Sequence, residues 1–183
     1  PARSDRPLDL FTHVLAAGLV AEGVARVPRE RHLPVPATVA LGPLTFFLAS
    51  LSHLALDRIP HFGFVPHLLS VWGALPHAWL VRPVVGGLLA LAFLLALGGG
   101  NRGIVLVAAA GATYPDVEKM AHAMWGLPYR LFEGHAGATS SYSGGYDHRL
   151  LAAAEIAFSL ALALAYRALA ARRGAHHTTP PPA

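Results

Sequence analysis

The sequence contains no cysteine and few charged side chains. The lack of cysteine excludes a disulfide framework and a thiolate metal site. Charged residues make up 13% of the chain, against about 25% in an average soluble domain, and 54% of the residues are hydrophobic. The net charge of +4 is modest, so no nucleic-acid partner is expected. This composition is typical of an integral membrane protein.

Several signature motifs of enzymes are also missing. The sequence has no G-x-S-x-G, Walker A, H-E-x-x-H or dinucleotide-binding fingerprint. A serine hydrolase therefore has little support, and any chemistry must come from other residues.

Long apolar runs predict the fold class. A helix of about 20 apolar residues crosses the ~30 Å hydrocarbon core of a bilayer. The runs predict an all-α polytopic integral membrane protein with about five transmembrane helices, over residues 9–27, 34–56, 80–98, 103–114 and 149–171. The stretch 60–80 contains three prolines and two tryptophans, which favours an interfacial helical segment.

The fourth span is expected to be broken or half-length. Its apolar part, 103–114, has 12 residues before Pro115-Asp116 interrupts it, which is about 18 Å of helix. It is either a half-span or a helix whose second half leaves the lipid. Irregular backbone at membrane depth is tolerated where it lines a cavity, so an internal cavity is expected here.

Residues 1–173 are interpreted as a single transmembrane helical domain and residues 174–183 as a Pro/Thr-rich tail. The polar start of the chain argues against a cleavable signal peptide. With five spans, the two ends of the chain lie on opposite sides of the membrane. Arginines crowd the short segments beside the spans on the side of the C-terminus, which favours a cytoplasmic C-terminus.

The stretch 52–62, SHLALDRIPHF, places ionisable residues at the end of the second span. Positions i and i+4 share a helix face, so the imidazole of His53 and the carboxylate of Asp57 can reach one point. Pro60 disfavours helix before it, so His61 is expected to approach from the helix end. Two imidazoles with one or two carboxylates form a ligand set that Zn²⁺ uses when one position stays open for water. Mn²⁺, Fe²⁺ or Mg²⁺ become alternatives with more carboxylates, and a purely structural polar pair is the simpler alternative.

The same layout brings further candidate ligands to this face of the membrane, namely His13, Asp116 and His148. Asp116 has a local alternative, because the four residues from Thr113 to Asp116 match a helix-start box. Glu118 and His122 lie four residues apart and are interpreted as a surface pair.

The stretch 52–62, together with GATYPD at 111–116, resembles small bacterial integral membrane proteins described as membrane-bound metal-dependent hydrolases. The resemblance covers most of the chain at low density. It implies a bacterial inner-membrane location and a hydrolytic activity in which Asp57 and Asp116 are catalytic. It also implies a divalent metal ion, with Zn²⁺ as the first choice, and the candidate ligands are His13, His53, Asp57, His61, Asp116 and His148.

Two alternatives of other classes stay open. The first is a non-catalytic accessory or scaffold subunit of a larger membrane complex, in which the histidines are structural or ligate a haem or pigment. Ala49 lies four residues before His53, a small-residue spacing that lets a macrocycle lie against a helix. The second is a transporter or proton relay through Glu22, His13 and His53, which five spans without an internal repeat favour less.

Overall fold

A computed structural model describes residues 10–31, 41–58, 78–97, 102–128, 132 and 148–175. These residues form five helices and no strand, in agreement with the all-α class predicted from the sequence. The helices are α1 (Leu10–Arg31), α2 (Leu41–Leu56), α3 (Ala78–Leu97), α4 (Arg102–Trp125) and α5 (His148–Ala175). The bounds of α1, α3 and α5 agree with the predicted spans to within four residues at each end.

Parts of the predicted layout lie outside the described residues. These parts are 34–40, ahead of α2, and 60–77, most of the predicted interfacial segment, whose last residues 78–80 belong to α3. At the other end of the chain, α5 continues to Ala175. The first two residues of the segment assigned to the tail are therefore helical.

The fourth helix is continuous, so the predicted break at Pro115 is wrong, whereas the alternative of a helix whose second half leaves the lipid stays a prediction. Helix α4 has 24 residues and passes through Pro115, which gives a length of about 36 Å. The predicted helix start at Thr113 is also wrong, because the Thr113 hydroxyl donates to the Ala110 carbonyl at 3.1 Å inside the helix. A proline removes one intrahelical hydrogen bond, and the turns on either side can hold the helix together.

Consecutive helices run in opposite directions. Ser50 and His53 of α2 meet Gly111 and Asp116 of α4 in the same order, so α2 and α4 are parallel. The start of α1 meets the end of α2 through His13 and Asp57, so these two helices are antiparallel. Helices α1 and α5 are parallel, since Thr12 contacts Ser159 and Arg26 contacts Leu169. Gly87 and Leu94 of α3 lie against Leu10 and Gly18 of α1, which makes α3 parallel to α1 as well.

Helix α1 lies at the centre of the described bundle and packs against each of the other four helices. The core around it is built largely from alanine and medium-sized aliphatic side chains, including Val14, Leu15, Ala49, Ala108 and Ala112. Small side chains allow helix backbones to approach closely. The interior is therefore narrow, and any polar group inside it lies close to its neighbours.

The described bundle buries many polar side chains inside its apolar core and exposes many large apolar ones. Thr12, His13, Glu22, Thr45, Ser50, His53, Asp57, Asp116, Glu118 and Glu155 are buried. Large apolar side chains cover the outside, among them Phe47, Leu88, Leu89, Phe93, Leu160 and Leu164. Among the described residues, Leu10–Val27 and Ala153–Arg172 are long and apolar enough to cross a bilayer, and the apolar helices Leu41–Leu56 and Val84–Leu97 are shorter.

Candidate metal centre

The candidate site is built where the start of α1 meets the end of α2. His13 lies in the first turn of α1, on its buried side. His53 lies in the last turn of α2, and Asp57 follows the helix end, where its backbone N–H donates to the His53 carbonyl at 3.0 Å. This bond continues the helical turn by one step. The i, i+4 geometry expected for His53 and Asp57 is therefore present.

One carboxylate lies between two imidazoles. The Nε2 atom of His13 is 3.2 Å from Oδ1 of Asp57, and the Nε2 atom of His53 is 3.2 Å from Oδ2. The two imidazole rings lie 4.1 Å apart between centroids, tilted by 35°. His13 is 2% exposed, His53 1% and Asp57 4%, so the cluster is almost completely removed from solvent.

This group could hold a metal ion. One ligand atom from each of His13, His53 and Asp57 can be chosen so that all three lie within 4.8 Å of one another. Bonds of about 2.0–2.2 Å to a tetrahedral ion place ligand atoms about 3.3–3.6 Å apart. The two observed separations of 3.2 Å run to different oxygens of Asp57, so they fit a carboxylate that lies between the two imidazoles, and a set with one ligand atom per residue lies within 4.8 Å.

The same distances also fit a cluster held by protons alone. Two neutral imidazoles could each donate an Nε2–H to one oxygen of Asp57, while a metal ion requires the Nε2 lone pairs instead. Both forms supply the positive charge or hydrogen bonds that a buried carboxylate needs.

A second carboxylate stands beside the group. Asp116 of α4 is 3% exposed, and its Oδ2 atom is 3.8 Å from Nε2 of His53. It lies close to, but outside, the three-residue ligand group. Helices α1, α2 and α4 thus bring His13, His53, Asp57 and Asp116 into one buried cluster.

Two of the predicted ligands cannot be placed in this cluster. His61 lies outside the described residues, and His148 begins α5 but its side chain lies outside the described part. Their roles as ligands stay predictions. The metal group that the structure describes therefore has two imidazoles from His13 and His53, whereas the sequence motif paired His53 with His61.

The interpretation of Glu118 as half of a surface pair with His122 is wrong. Glu118 is buried, and its Oε2 atom accepts a hydrogen bond of 2.9 Å from the backbone N–H of Phe132. His122 is exposed, and its Nδ1 atom donates to the Leu127 carbonyl at 2.8 Å. The i, i+4 spacing did not indicate this, because the backbone N–H that Glu118 accepts from belongs to a residue beyond the end of α4.

The geometry also bears on the two alternative hypotheses. Ala49 is fully buried in the core, and α2 touches α4 near Phe46 and Gly111, which leaves no gap for a planar macrocycle between these helices. Glu22 and His13 are nine residues apart on α1. Glu22 and His13 therefore lie on opposite faces of α1, about 14 Å apart along its axis. At this separation a proton cannot pass directly from one side chain to the other.

Comparisons with protein-family models, with curated proteins and with solved structures find no match. The fold and the site together define a helical bundle with an apolar exterior and a buried His/His/Asp group. The function is therefore inferred from the chemistry of this group and its surroundings.

Proposed function

We propose that the protein is a polytopic membrane protein with a metal-dependent hydrolytic site just inside one membrane face. The observation that carries the proposal is the convergence of His13, His53 and Asp57, with one ligand atom from each within 4.8 Å of the others and Asp116 alongside. Ionisable groups buried among apolar helices are costly, so their clustering favours a functional role.

The polarity of the bundle supports a location in a bilayer. In helix α5, only 22% of the apolar stretch Ala153–Arg172 is buried. The core helix of a soluble protein would bury most of such a stretch. The alternating helix directions agree with five successive crossings, and they place the two ends of the bundle's chain on opposite sides. We further propose the bacterial inner membrane as the location, with the end of α5 on the cytoplasmic side.

Two imidazoles and one carboxylate would leave one position of a tetrahedral ion open for water, which favours Zn²⁺ as the metal ion. Mn²⁺, Fe²⁺ and Mg²⁺ fit less well, because they prefer more oxygen ligands. A bound Zn²⁺ would lower the pKa of a coordinated water and so supply a nucleophile at neutral pH.

The remaining roles belong to the two carboxylates. Asp57 bridges His13 and His53 and would hold the ion with them. Asp116 lies 3.8 Å from the Nε2 atom of His53, close enough to accept a proton from a water bound beside that ring. We assign Asp116 to general-base catalysis on this ground, since a base must lie within one water of the proton it removes.

The first experiment measures the metal content of the protein purified in detergent. Wild type is expected to contain about one equivalent of Zn²⁺, and His53→Ala and Asp57→Ala are expected to lose it, because each substitution removes a ligand. His122→Ala is the matched control, since His122 is exposed in α4 and remote from the group in sequence. Asp116→Asn is expected to retain the ion but to lose turnover of chromogenic ester, phosphoester or amide substrates.

A metal-free wild type that also takes up no Zn²⁺ on incubation would contradict this proposal. The proton-held form of the cluster would then apply, together with the alternative of an accessory subunit in a larger membrane complex. An accessory subunit would co-purify with its partner subunits, and chelators would not disrupt the complex.

A further inference from the structure

Pro115 leaves one carbonyl of α4 without its usual partner. In an α-helix the carbonyl of residue i accepts from the N–H of residue i+4. The residue four positions after Gly111 is Pro115, which has no N–H. Since both residues are buried, this carbonyl needs a donor from another part of the protein.

Ser50 of α2 supplies that donor. Its Oγ atom is 2.8 Å from the Gly111 carbonyl oxygen and 3.0 Å from the carbonyl of Phe46 in its own helix. The Phe46 carbonyl can accept from the backbone N–H of Ser50, whereas the Gly111 carbonyl has no such donor. We therefore expect the Ser50 hydroxyl to donate its hydrogen to the Gly111 carbonyl. Serines of neighbouring helices satisfy carbonyls freed by proline in membrane helices in this way.

Gly111 makes the short distance attainable. A Cβ atom at this position would overlap the Phe46 carbonyl oxygen and lie 2.9 Å from both the Cα and the carbonyl carbon of Phe46. Backbone atoms cannot move aside as a flexible side chain can. The two helices therefore touch here only because residue 111 has no side chain.

We infer that Ser50, Gly111 and Pro115 form one register contact, and that this contact positions Asp116 against His53. Asp116 directly follows Pro115, and His53 lies one turn after Ser50. Sliding α4 by one residue along α2 would move Asp116 by about 1.5 Å and rotate it by about 100°. The 3.8 Å separation between Asp116 and His53 depends on this register, so Ser50 is a positioning residue.

A double-mutant cycle tests the hydrogen-bond exchange in the full-length, detergent-solubilised protein with chelator present. Ser50→Ala is expected to lower the thermal midpoint by about 2–4 °C, since the Gly111 carbonyl then lacks a donor. Pro115→Ala restores an N–H four residues after Gly111. In this background Ser50→Ala is expected to change the midpoint by less than half as much.

The Zn²⁺ affinity distinguishes a positioning role of Ser50 from a purely stabilising one, because a loss of stability alone would leave the affinity unchanged. This part rests on the proposed metal site, and it uses competition titration with Zn²⁺. Ser50→Ala is expected to weaken Zn²⁺ binding roughly tenfold, because a displaced Asp116 would no longer support the His53 ring from outside the ligand group. The double variant Ser50→Ala/Pro115→Ala is expected to regain stability but not affinity, since the contact between the helices is still missing.

Ser52→Ala is the matched control, because the Ser52 hydroxyl donates to the Ala49 carbonyl of its own helix at 2.8 Å. It is expected to leave Zn²⁺ affinity within about twofold of wild type. Gly111→Ala, which forces the helices apart, is expected to weaken binding at least as much as Ser50→Ala.

Two results would overturn the inference. Equal midpoint losses from Ser50→Ala with and without Pro115 would show that the hydroxyl does not replace the missing donor. Full recovery of affinity along with stability in the double variant would reduce Ser50 to a structural residue. If wild type binds no Zn²⁺, the proposed function fails, and the stability cycle in chelator still decides whether the register contact exists.

Discussion

At the scale of single residues, the site depends on how two imidazoles share one carboxylate. His13 and His53 each point a ring nitrogen at a different oxygen of Asp57, at 3.2 Å. The rings lie 4.1 Å apart, so two added protons would place two positive charges side by side in a dry interior. The cluster therefore suits either one metal ion or a small number of protons. It cannot hold both, because the ion and the protons would occupy the same ring nitrogens.

This competition predicts the pH dependence of metal binding. Imidazole must be neutral to bind Zn²⁺, so protons displace the ion as the pH falls. With two imidazole ligands, affinity is expected to fall by up to about a hundredfold per pH unit in acid and to level off above neutral pH. Zn²⁺ titrations between pH 8 and pH 5 measure this slope, and a flat profile together with unchanged affinity in His13→Ala and His53→Ala would exclude the two histidines as ligands.

At the scale of helices, glycines determine where backbones approach. Gly18 of α1 faces α3 and α5, where an added Cβ would lie 2.6 Å from Leu94 Cδ2 and 3.2 Å from a ring carbon of Tyr166. The Tyr166 hydroxyl donates to the Leu94 carbonyl at 3.2 Å. Helices α1, α3 and α5 therefore meet at the level of Gly18, about one and a half turns after His13 along α1.

Gly18→Ala is expected to destabilise the bundle by about 1–3 kcal/mol, because the added methyl overfills this contact. Gly23 of the same helix has no atom within 4 Å of its Cβ position, so Gly23→Ala is expected to be neutral or to stabilise by up to about 1 kcal/mol through helix propensity. Thermal unfolding in detergent compares the two. Equal effects would mean that α3 and α5 do not pack on Gly18 as described.

At the scale of the whole molecule, the apolar exterior predicts a depth-dependent tolerance of charge. Leu160 and Leu150 of α5 are 58% and 69% exposed, but Leu160 lies near the middle of the helix and Leu150 near its start. Leu160→Asp is expected to impair membrane insertion, since a mid-span aspartate costs about 2.5–3.5 kcal/mol, while Leu150→Asp is expected to be tolerated. The measurement is the fraction of protein recovered in carbonate-washed membranes.

A higher yield of folded Leu160→Asp protein in the soluble fraction than of wild type would contradict this prediction and would indicate a soluble bundle.

The alternating helix directions also predict the topology. Arg102 begins helix α4 and Leu127 follows its end by two residues, and both are exposed. Because the chain has no native cysteine, Arg102→Cys and Leu127→Cys each introduce one reporter thiol. A membrane-impermeant maleimide applied to intact cells is expected to label Leu127→Cys and not Arg102→Cys. Labelling of both from one side would contradict a membrane-crossing α4.

Several local features followed from the sequence. Apolar runs predicted the helices and most of their ends, and the four-residue spacing placed His53 and Asp57 on one face. Local patterns misled where the outcome depended on distant residues. Pro115 indicated a helix break, yet α4 continues because Ser50 of another helix can bond the freed carbonyl. Glu118 looked like a surface residue, yet it is buried and accepts a hydrogen bond from the backbone of Phe132.

The sequence by itself determined that this chain is helical, that its helices are apolar on the outside and that one helix end carries an imidazole and a carboxylate together. These are properties of composition and of spacing within a single helix. Only the tertiary structure decided that His13 and Asp116 join them, because residues 44 or 59 positions from Asp57 come close only through helix packing. That packing rests on backbone contacts such as Gly111 against Phe46, whose lengths no pattern in the sequence specifies.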